Sequence, residues 1–297
     1  MITRTISSWR SSVFVGAAGL FSSSICLAVD TLPLDVVALP PDLNFVALYY
    51  GYGHNDQYNT SGKTFDKNTR LTTNTLVARV GHVFPVAGTV MHVDMLLPYG
   101  DYSNGAIGGG ALNDAKGWGD PTLLASIAAI NKPEQGTYFG ITGYLTAPWG
   151  EYHKDDALNV GSNRWSGTFQ LGISQRFAEV WNTEVITDWT HYGNNNEAGN
   201  GHQTLAQDDT YTGQVWLTRD FGSSVQGSIG YALYEGGAQQ IDGVSMGIKT
   251  EKQQFRLAGN FQLLRGTYLI LQLSRDFAVQ DGFRQDTGVL ARLAYAF

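Results

Sequence analysis

One cysteine, Cys26, is all that the 297-residue chain contains, so no disulfide can form within it. Charge is scarce too: Asp, Glu, Lys and Arg make up 15% of residues, where soluble domains usually carry about 25%. Basic residues are the scarcer kind, 19 against 26 acids for a net charge of −7. That argues against nucleic acid as a partner, since phosphate contacts need clustered Lys and Arg. No uninterrupted apolar run reaches the roughly 18 residues of a membrane-spanning helix, which excludes helical spans. A helical period is also missing from the middle of the chain.

The first residues have a different character. "MITRTISSWR" carries Arg4 and Arg10 and no acid; a short apolar run follows, then "SSSICLA" ending in Ala28. Basic start, brief apolar core and small-residue exit describe a secretory signal peptide over residues 1–28, cut after Ala28. The apolar run is too short and too rich in serine for a membrane anchor, which needs about 20 residues. A lipoprotein reading would acylate Cys26, but Ile25 stands where a small residue is wanted. Without residues 1–28, two arginines fewer leave 17 bases against 26 acids, a net charge of −9. Residues 29–42, "VDTLPLDVVALPPD", contain Pro33, Pro40 and Pro41, which exclude a central strand. This segment is either a periplasmic tail or an insert into a lumen, where Leu34, Val36, Val37 and Leu39 would find cover.

What the chain has in quantity is glycine (36 residues), aromatics (12%) and alternation. In "WNTEVITDWTHY", Trp181, Thr183, Val185, Thr187 and Trp189 share one face, and Asn182, Glu184, Ile186, Asp188 and Thr190 the other. A two-residue period marks strands with one apolar and one polar face. Twelve such segments are expected, at about 43–53, 69–84, 89–100, 118–130, 137–148, 164–177, 180–192, 210–221, 224–235, 251–264, 267–278 and 287–297. Short links ("PVAG", "NKPEQG", "AE", "GS", "RG") alternate with long polar ones at 54–68, 101–117, 149–163, 193–209, 236–250 and a shorter 279–286. Short turns at one end and long loops at the other are the layout of a transmembrane antiparallel β-barrel, an up-and-down meander spanning residues 43–297. The expected location is the outer membrane of a Gram-negative bacterium, with outer-membrane lipid around a monomeric barrel.

Aromatics fall near both ends of the strands, as interface girdles require. Phe84, Phe177, Trp181, Phe221 and Phe297 lie near the short turns; Tyr99, Trp149, Trp165, Trp189, Tyr192 and Tyr234 lie near the long loops. The chain stops on an apolar stripe, Val289, Ala291, Leu293, Tyr295 and Phe297, where most chains end in polar residues. A final strand closing a barrel against the first needs an apolar outer face to its last residue. An aromatic terminus also resembles the signal read by the barrel-assembly machinery, which makes Tyr295 and Phe297 its expected contacts.

The alternation points Arg79, His92, Asp94, Asp120, Arg176, Glu184, Asp188, Trp216, Arg256 and Arg292 into the lumen, along with Asp276, Tyr144 and Tyr268. Both signs occur, which suggests a partly packed interior of ion pairs rather than a pore selective for one sign of ion.

"GWGDPTLLASI" (Gly117 to Ile127) and "LTAPWGEY" (Leu145 to Tyr152) carry a family resemblance. A Gly-x-Gly-Asp opening one strand (Gly117, Gly119, Asp120) and a Pro-x-Gly-x-Tyr ending the next (Pro148, Gly150, Tyr152) resemble the outer-membrane family named for the meta-pathway of phenol degradation. Trp149 departs from the family's usual small residue. The resemblance implies a twelve-stranded channel for small hydrophobic or aromatic solutes, with no cofactor and no catalytic residues.

An outer-membrane hydrolase is the alternative. Twelve strands suit outer-membrane phospholipases, whose nucleophile and base resemble His-x-Ser on one strand. No histidine here has serine two positions on, so Ser103 lacks an activating base and is expected to be an ordinary loop residue. His92 and Asp94 are one pair, short of the third ligand a zinc site needs. "GGGALNDAKGWGD" lacks the Gly-Lys-Ser/Thr ending of a phosphate loop. A third reading is a barrel that transports nothing and serves as a structural or surface-binding protein.

Overall fold

The computed structural model describes residues 30–199 and 201–297, so the expected signal peptide lies outside the described residues. Twelve long strands make the wall: β1 (Asn44–Thr60), β2 (Arg70–Val86), β3 (Thr89–Ile107), β4 (Thr122–Lys132), β5 (Thr137–Thr146), β6 (Ser166–Phe177), β7 (Trp181–Tyr192), β8 (Thr210–Asp220), β9 (Val225–Glu235), β10 (Glu251–Leu264), β11 (Thr267–Gln280) and β12 (Gly282–Ala296). Each pairs antiparallel with the next, and β12 returns to β1 from Phe45↔Ala296 to Asn59↔Gly282. Closure leaves no edge, and in lipid every backbone polar group must be paired within the protein.

Single strands show why the sequence adopts this wall. On β8, Gln214, Trp216 and Thr218 are buried while Val215 between them is exposed. On β10, Gln254 and Arg256 are buried and Phe255 and Leu257 exposed. Successive side chains take opposite faces. Here the outward ones are apolar, as a lipid exterior demands, and the inward ones are polar apart from packed residues such as Trp216.

One end of the barrel has tight reversals. Ala87 and Gly88 turn with φ of 48° and 83°, and Ala178 and Glu179 make the same left-handed turn without glycine, at 46° and 61°. Such turns match the twist of the strands they join. A single 3-10 turn, Pro133–Gln135, links β4 to β5.

The other end differs from expectation in several ways. Residues 54–60 and 101–107 continue as strand, and 279–286 is no loop: Asp281 (φ 48°) alone separates β11 from β12. Its carboxylate accepts the N–H groups of Ser61 (2.7 Å) and Lys249 (3.1 Å), which fixes the reversal. Residues 280–287 are mostly polar, so the lipid pattern stops there while backbone pairing does not. The loops following β7 and β9 also pair into a second sheet, Asn195–Ala198, Gln203–Gln207, Gln239–Ile241 and Val244–Ser245. The loop before β6 turns inward, packing Leu158 and Val160 on Leu71 and Tyr102. Two of the expected outer-girdle aromatics are corrected: Tyr234 faces the lumen, where its hydroxyl donates to Asp30, and the Tyr192 ring lies under the buried Arg164.

Candidate functional site

Residues 30–38 run inside the barrel, held there by the inward polar residues of the wall, and residues 39–42 are exposed at the short-turn end, where the Asp42 N–H donates to the Val83 carbonyl (2.9 Å). Asp30 accepts from Arg256 Nη2 (3.0 Å) and from the Tyr234 hydroxyl (2.6 Å). Arg256 is 2% exposed and also donates to Gln254 (2.7 Å), Gln214 (3.0 Å) and the Tyr234 oxygen. Asp35 accepts from Arg292 Nη1 at 2.7 Å. The Glu184 carboxylate receives the backbone N–H groups of Leu34 (2.5 Å) and Val36 (3.2 Å). Gln170 joins Asp188 (2.6 Å) to the Thr31 hydroxyl (3.0 Å). Gly172 leaves room for this segment: a Cβ there would stand 2.8 Å from a Val36 methyl. Leu32 is buried against Ile270 and Leu290.

Between this segment and the wall is a cavity of about 480 Å³. Ser223 and Ser224, from the short-turn end, are part of its lining, so it opens toward the periplasmic side. Its apolar part is Val36, Leu39, Phe45, Val90 and Ala128; its polar part is Tyr49, Arg79, His92 and Arg292. Arg79 donates from Nε to Asp94 (2.8 Å) and from Nη1 to the Tyr49 hydroxyl (3.1 Å). Nδ1 of His92 lies 2.9 Å from Asp94 Oδ1, and its ring meets Phe45 edge-on with centroids 6.3 Å apart. Asp94 is thereby held from both sides, and the Nε2 side of His92 is left to the cavity. Among the described residues no group of three or more His, Cys, Asp or Glu could hold a metal ion.

Asp120, Arg176 and Trp216, also expected in the lumen, do not line this cavity. Asp120 is a rim clamp: Oδ1 accepts Gly150 N–H (2.8 Å), and Oδ2 accepts the N–H (2.7 Å) and hydroxyl (2.5 Å) of Ser162. The two quoted motifs therefore meet, and Gly150 must be glycine because a Cβ would stand 2.7 Å from the Gly119 carbonyl carbon. Trp149 is 74% exposed and edge-on to Trp165, so the departure from the family's small residue adds to the outer girdle. Arg176 is half exposed at the short-turn end, bonded to Asp220 and the Glu179 carbonyl. Its strand phase points inward, but it lies past the end of the packed lumen. Trp216 is inward and 1% exposed, flat over Gly230. Tyr295 and Phe297 stack at 5.5 Å on the outer wall, and Phe297 exchanges two backbone hydrogen bonds with Asn44, each 2.9 Å.

Sequence reasoning missed Asp30, Asp35, Tyr49, Tyr234, Gln214 and Gln254. The glutamines and tyrosines share strand phase with Arg256 or Arg79 and were within reach of the alternation argument. Asp30 and Asp35 carried no periodic signal. Arg164 was missed as well, on the long-loop side. It is 4% exposed, lies 4.4 Å from the Tyr192 ring centroid and donates to Gln207 (2.5 Å); burial pulls its basicity below the ordinary value.

Residues 54–293 match the family described as the MetA-pathway of phenol degradation. The chain belongs to this family. Among solved structures, an outer membrane channel from Pseudomonas putida is 30% identical with a TM-score of 0.86, covering 90% of this chain and 100% of that one. The β domain of the Bordetella autotransporter Brka is similar in fold alone, at 13% identity and a TM-score of 0.54 over 86% of this chain and 100% of that one. A comparison with curated protein sequences gives no match. The protein is thus a barrel of the Gram-negative outer membrane with the architecture of a channel, and its relatives in this family are channels rather than enzymes.

Proposed function

We propose that the barrel lets small, mainly apolar solutes, aromatic ones among them, cross the outer membrane by passive diffusion. The observation that carries this reading is the two-sided cavity between residues 30–42 and the wall. One side offers aliphatic and aromatic surface; the other offers His92, Tyr49 and the two arginines. Because Arg79 and Arg292 already face Asp94 and Asp35, the charges that line the cavity among the described residues are paired. A neutral ring with one hydroxyl suits it: the ring against Phe45 and Val90, the hydroxyl at His92. Bulky sugars do not, because the inserted segment, tied to Arg256, Arg292 and Glu184, narrows the bore. Twelve strands give a width between filled eight-stranded barrels and the open sixteen-stranded porins.

In the same reading the barrel works as a monomer, and Tyr295 and Phe297 form the signal by which the assembly machinery takes it into the membrane. The transport test is stopped-flow uptake into liposomes with and without the protein. Phenol and toluene should cross faster with protein present, and sucrose should not. His92→Phe should keep toluene uptake and slow phenol. Sucrose permeation as fast as through a large general porin would overturn the reading.

A further inference from the structure

The outward face of β8 to β11 carries a feature that transport leaves unused. Val215, Leu217, Ile229, Tyr231, Phe255, Leu257 and Leu273 line an apolar groove of about 580 Å³ on the lipid side of the wall. Three rings stand at its upper edge: Phe255 stacks on Phe277 at 4.8 Å, and Tyr231 lies 6.0 Å from each. Arg275 borders the same groove and pairs directly with Phe255 in the β10–β11 register.

Arg275 is an unusual residue for this place. The outward positions of these four strands hold two cations, Arg219 and Arg275. Arg219 is at the short-turn end, its guanidinium over the Trp181 and Phe221 rings. Arg275 is exposed and has no ion-pair partner among the described residues. The acids around it are engaged elsewhere: Asp286 on β12 lies 2.6 Å from His54 Nδ1, and Glu235 and Glu251 are both taken by Lys249 at 3.0 and 3.1 Å. From Thr267 at the short turn to Arg275 are eight residues of rise. At about 3.3 Å each on a strand tilted about 40°, that is about 20 Å of a lipid-facing band about 25 Å tall. A guanidinium on a flexible stem reaches the remaining distance and comes to rest at the headgroups of the outer leaflet. It would arrive there as a free cation with an apolar trough directly beneath it.

We infer that this groove is a binding site for a phosphorylated, acylated glycolipid of the outer leaflet. The acyl chain lies along Leu217, Ile229, Leu257 and Leu273, and the phosphate takes a forked hydrogen bond from Arg275. Arginine suits the task because its planar fork matches phosphate oxygens two at a time. The site is on the opposite face of the wall from the transport cavity, so the two assignments stand or fall separately.

The test is native mass spectrometry of the intact barrel in mild detergent, titrated with diphosphoryl lipid A and with a dephosphorylated analogue. The wild type should hold one diphosphoryl lipid A and bind the dephosphorylated analogue at least tenfold more weakly. Arg275→Gln and the groove-filling Leu273→Trp should each lose at least tenfold in affinity for diphosphoryl lipid A. Arg275→Lys, which keeps the charge but loses the fork, should fall between the wild type and Arg275→Gln, and Arg219→Gln should leave the affinity unchanged. A shift in gel mobility on boiling verifies that each variant is a folded barrel. Equal affinity in all the variants, or no preference for phosphate, would overturn the site. So would a lipid-free dimer that disappears on Arg275→Gln, since that would give the groove to a second copy of the chain.

Discussion

Glu184 and Val185 are consecutive on β7, yet one is 0% exposed and the other 48%. The carboxylate points inward and holds two backbone N–H groups of the inserted segment; the valine points at lipid and needs no partner. Arg256 and Leu257 repeat the contrast on β10, at 2% and 58%. Outside, position matters and partner does not: any apolar residue in the right phase suits the wall. Inside, each polar group depends on a specific neighbour, because the low dielectric makes an unpaired one costly. The two faces of one sheet therefore follow different rules, and substitutions on each should fail in different ways.

The largest effect is expected at the seam of the outer face. Deleting Phe297, or changing it to Asp, removes the stacked partner of Tyr295 and, in the deletion, the two backbone bonds to Asn44. The barrel should then fail to reach the outer membrane and collect in the periplasm. Fractionation, followed by gels of unboiled and boiled samples, would detect this. Normal levels of heat-modifiable barrel would show that the terminus is dispensable.

Next comes the lumen. Arg256→Ala leaves Asp30 without its cation and Gln214 and Gln254 without their donor. Breaking one side of a buried pair costs about 3–5 kcal/mol. Thermal unfolding in detergent should fall accordingly, and planar-bilayer conductance should rise as the segment at Asp30 comes loose. A rise in conductance with no loss of stability would mean that the pair gates without fastening.

On the outer face, Val185→Arg places a charge near the middle of the bilayer, a change worth about 2–4 kcal/mol. Folding into liposomes should weaken by that much while conductance stays at the wild-type value. A changed conductance would break the separation of the two faces.

How far the sequence reveals each face follows from the same contrast. The outer wall was legible, strand by strand, because lipid imposes a period that any window displays. The rim was less so. Asp281, read within a loop, is a one-residue reversal, and Asp120, in the right phase for the lumen, clamps Gly150 and Ser162 instead. Phase gives a direction but not a height, and at the rim height decides what a side chain meets. Least legible were the partners inside. Arg256 and Arg292 were visible as inward charges, but Asp30 and Asp35 lie on a segment without period, more than 220 residues away in sequence.

The smallest effect tests that hidden side most directly. Among the described residues Glu184 has no cation partner; it is held by the N–H groups of Leu34 and Val36. Glu184→Gln keeps the shape and one acceptor oxygen, but turns a donor toward the second N–H. The loss of a charge-assisted hydrogen bond is partly offset by no longer burying a charge, so the net change should be about 1 kcal/mol. That is too little to move the unfolding of a closed twelve-stranded barrel by much. Local opening of the inserted segment is another matter, because each fastening there is a large share of what holds it. Hydrogen exchange at the Leu34 and Val36 amides should speed up about fivefold, the factor corresponding to 1 kcal/mol, while amides of β7 keep wild-type rates. Channel recordings should show more frequent brief openings at unchanged barrel stability. If exchange at Leu34 and Val36 stays at the wild-type rate, the Glu184 carboxylate is a passenger, and the ion pairs at Asp30 and Asp35 alone keep the segment in the lumen.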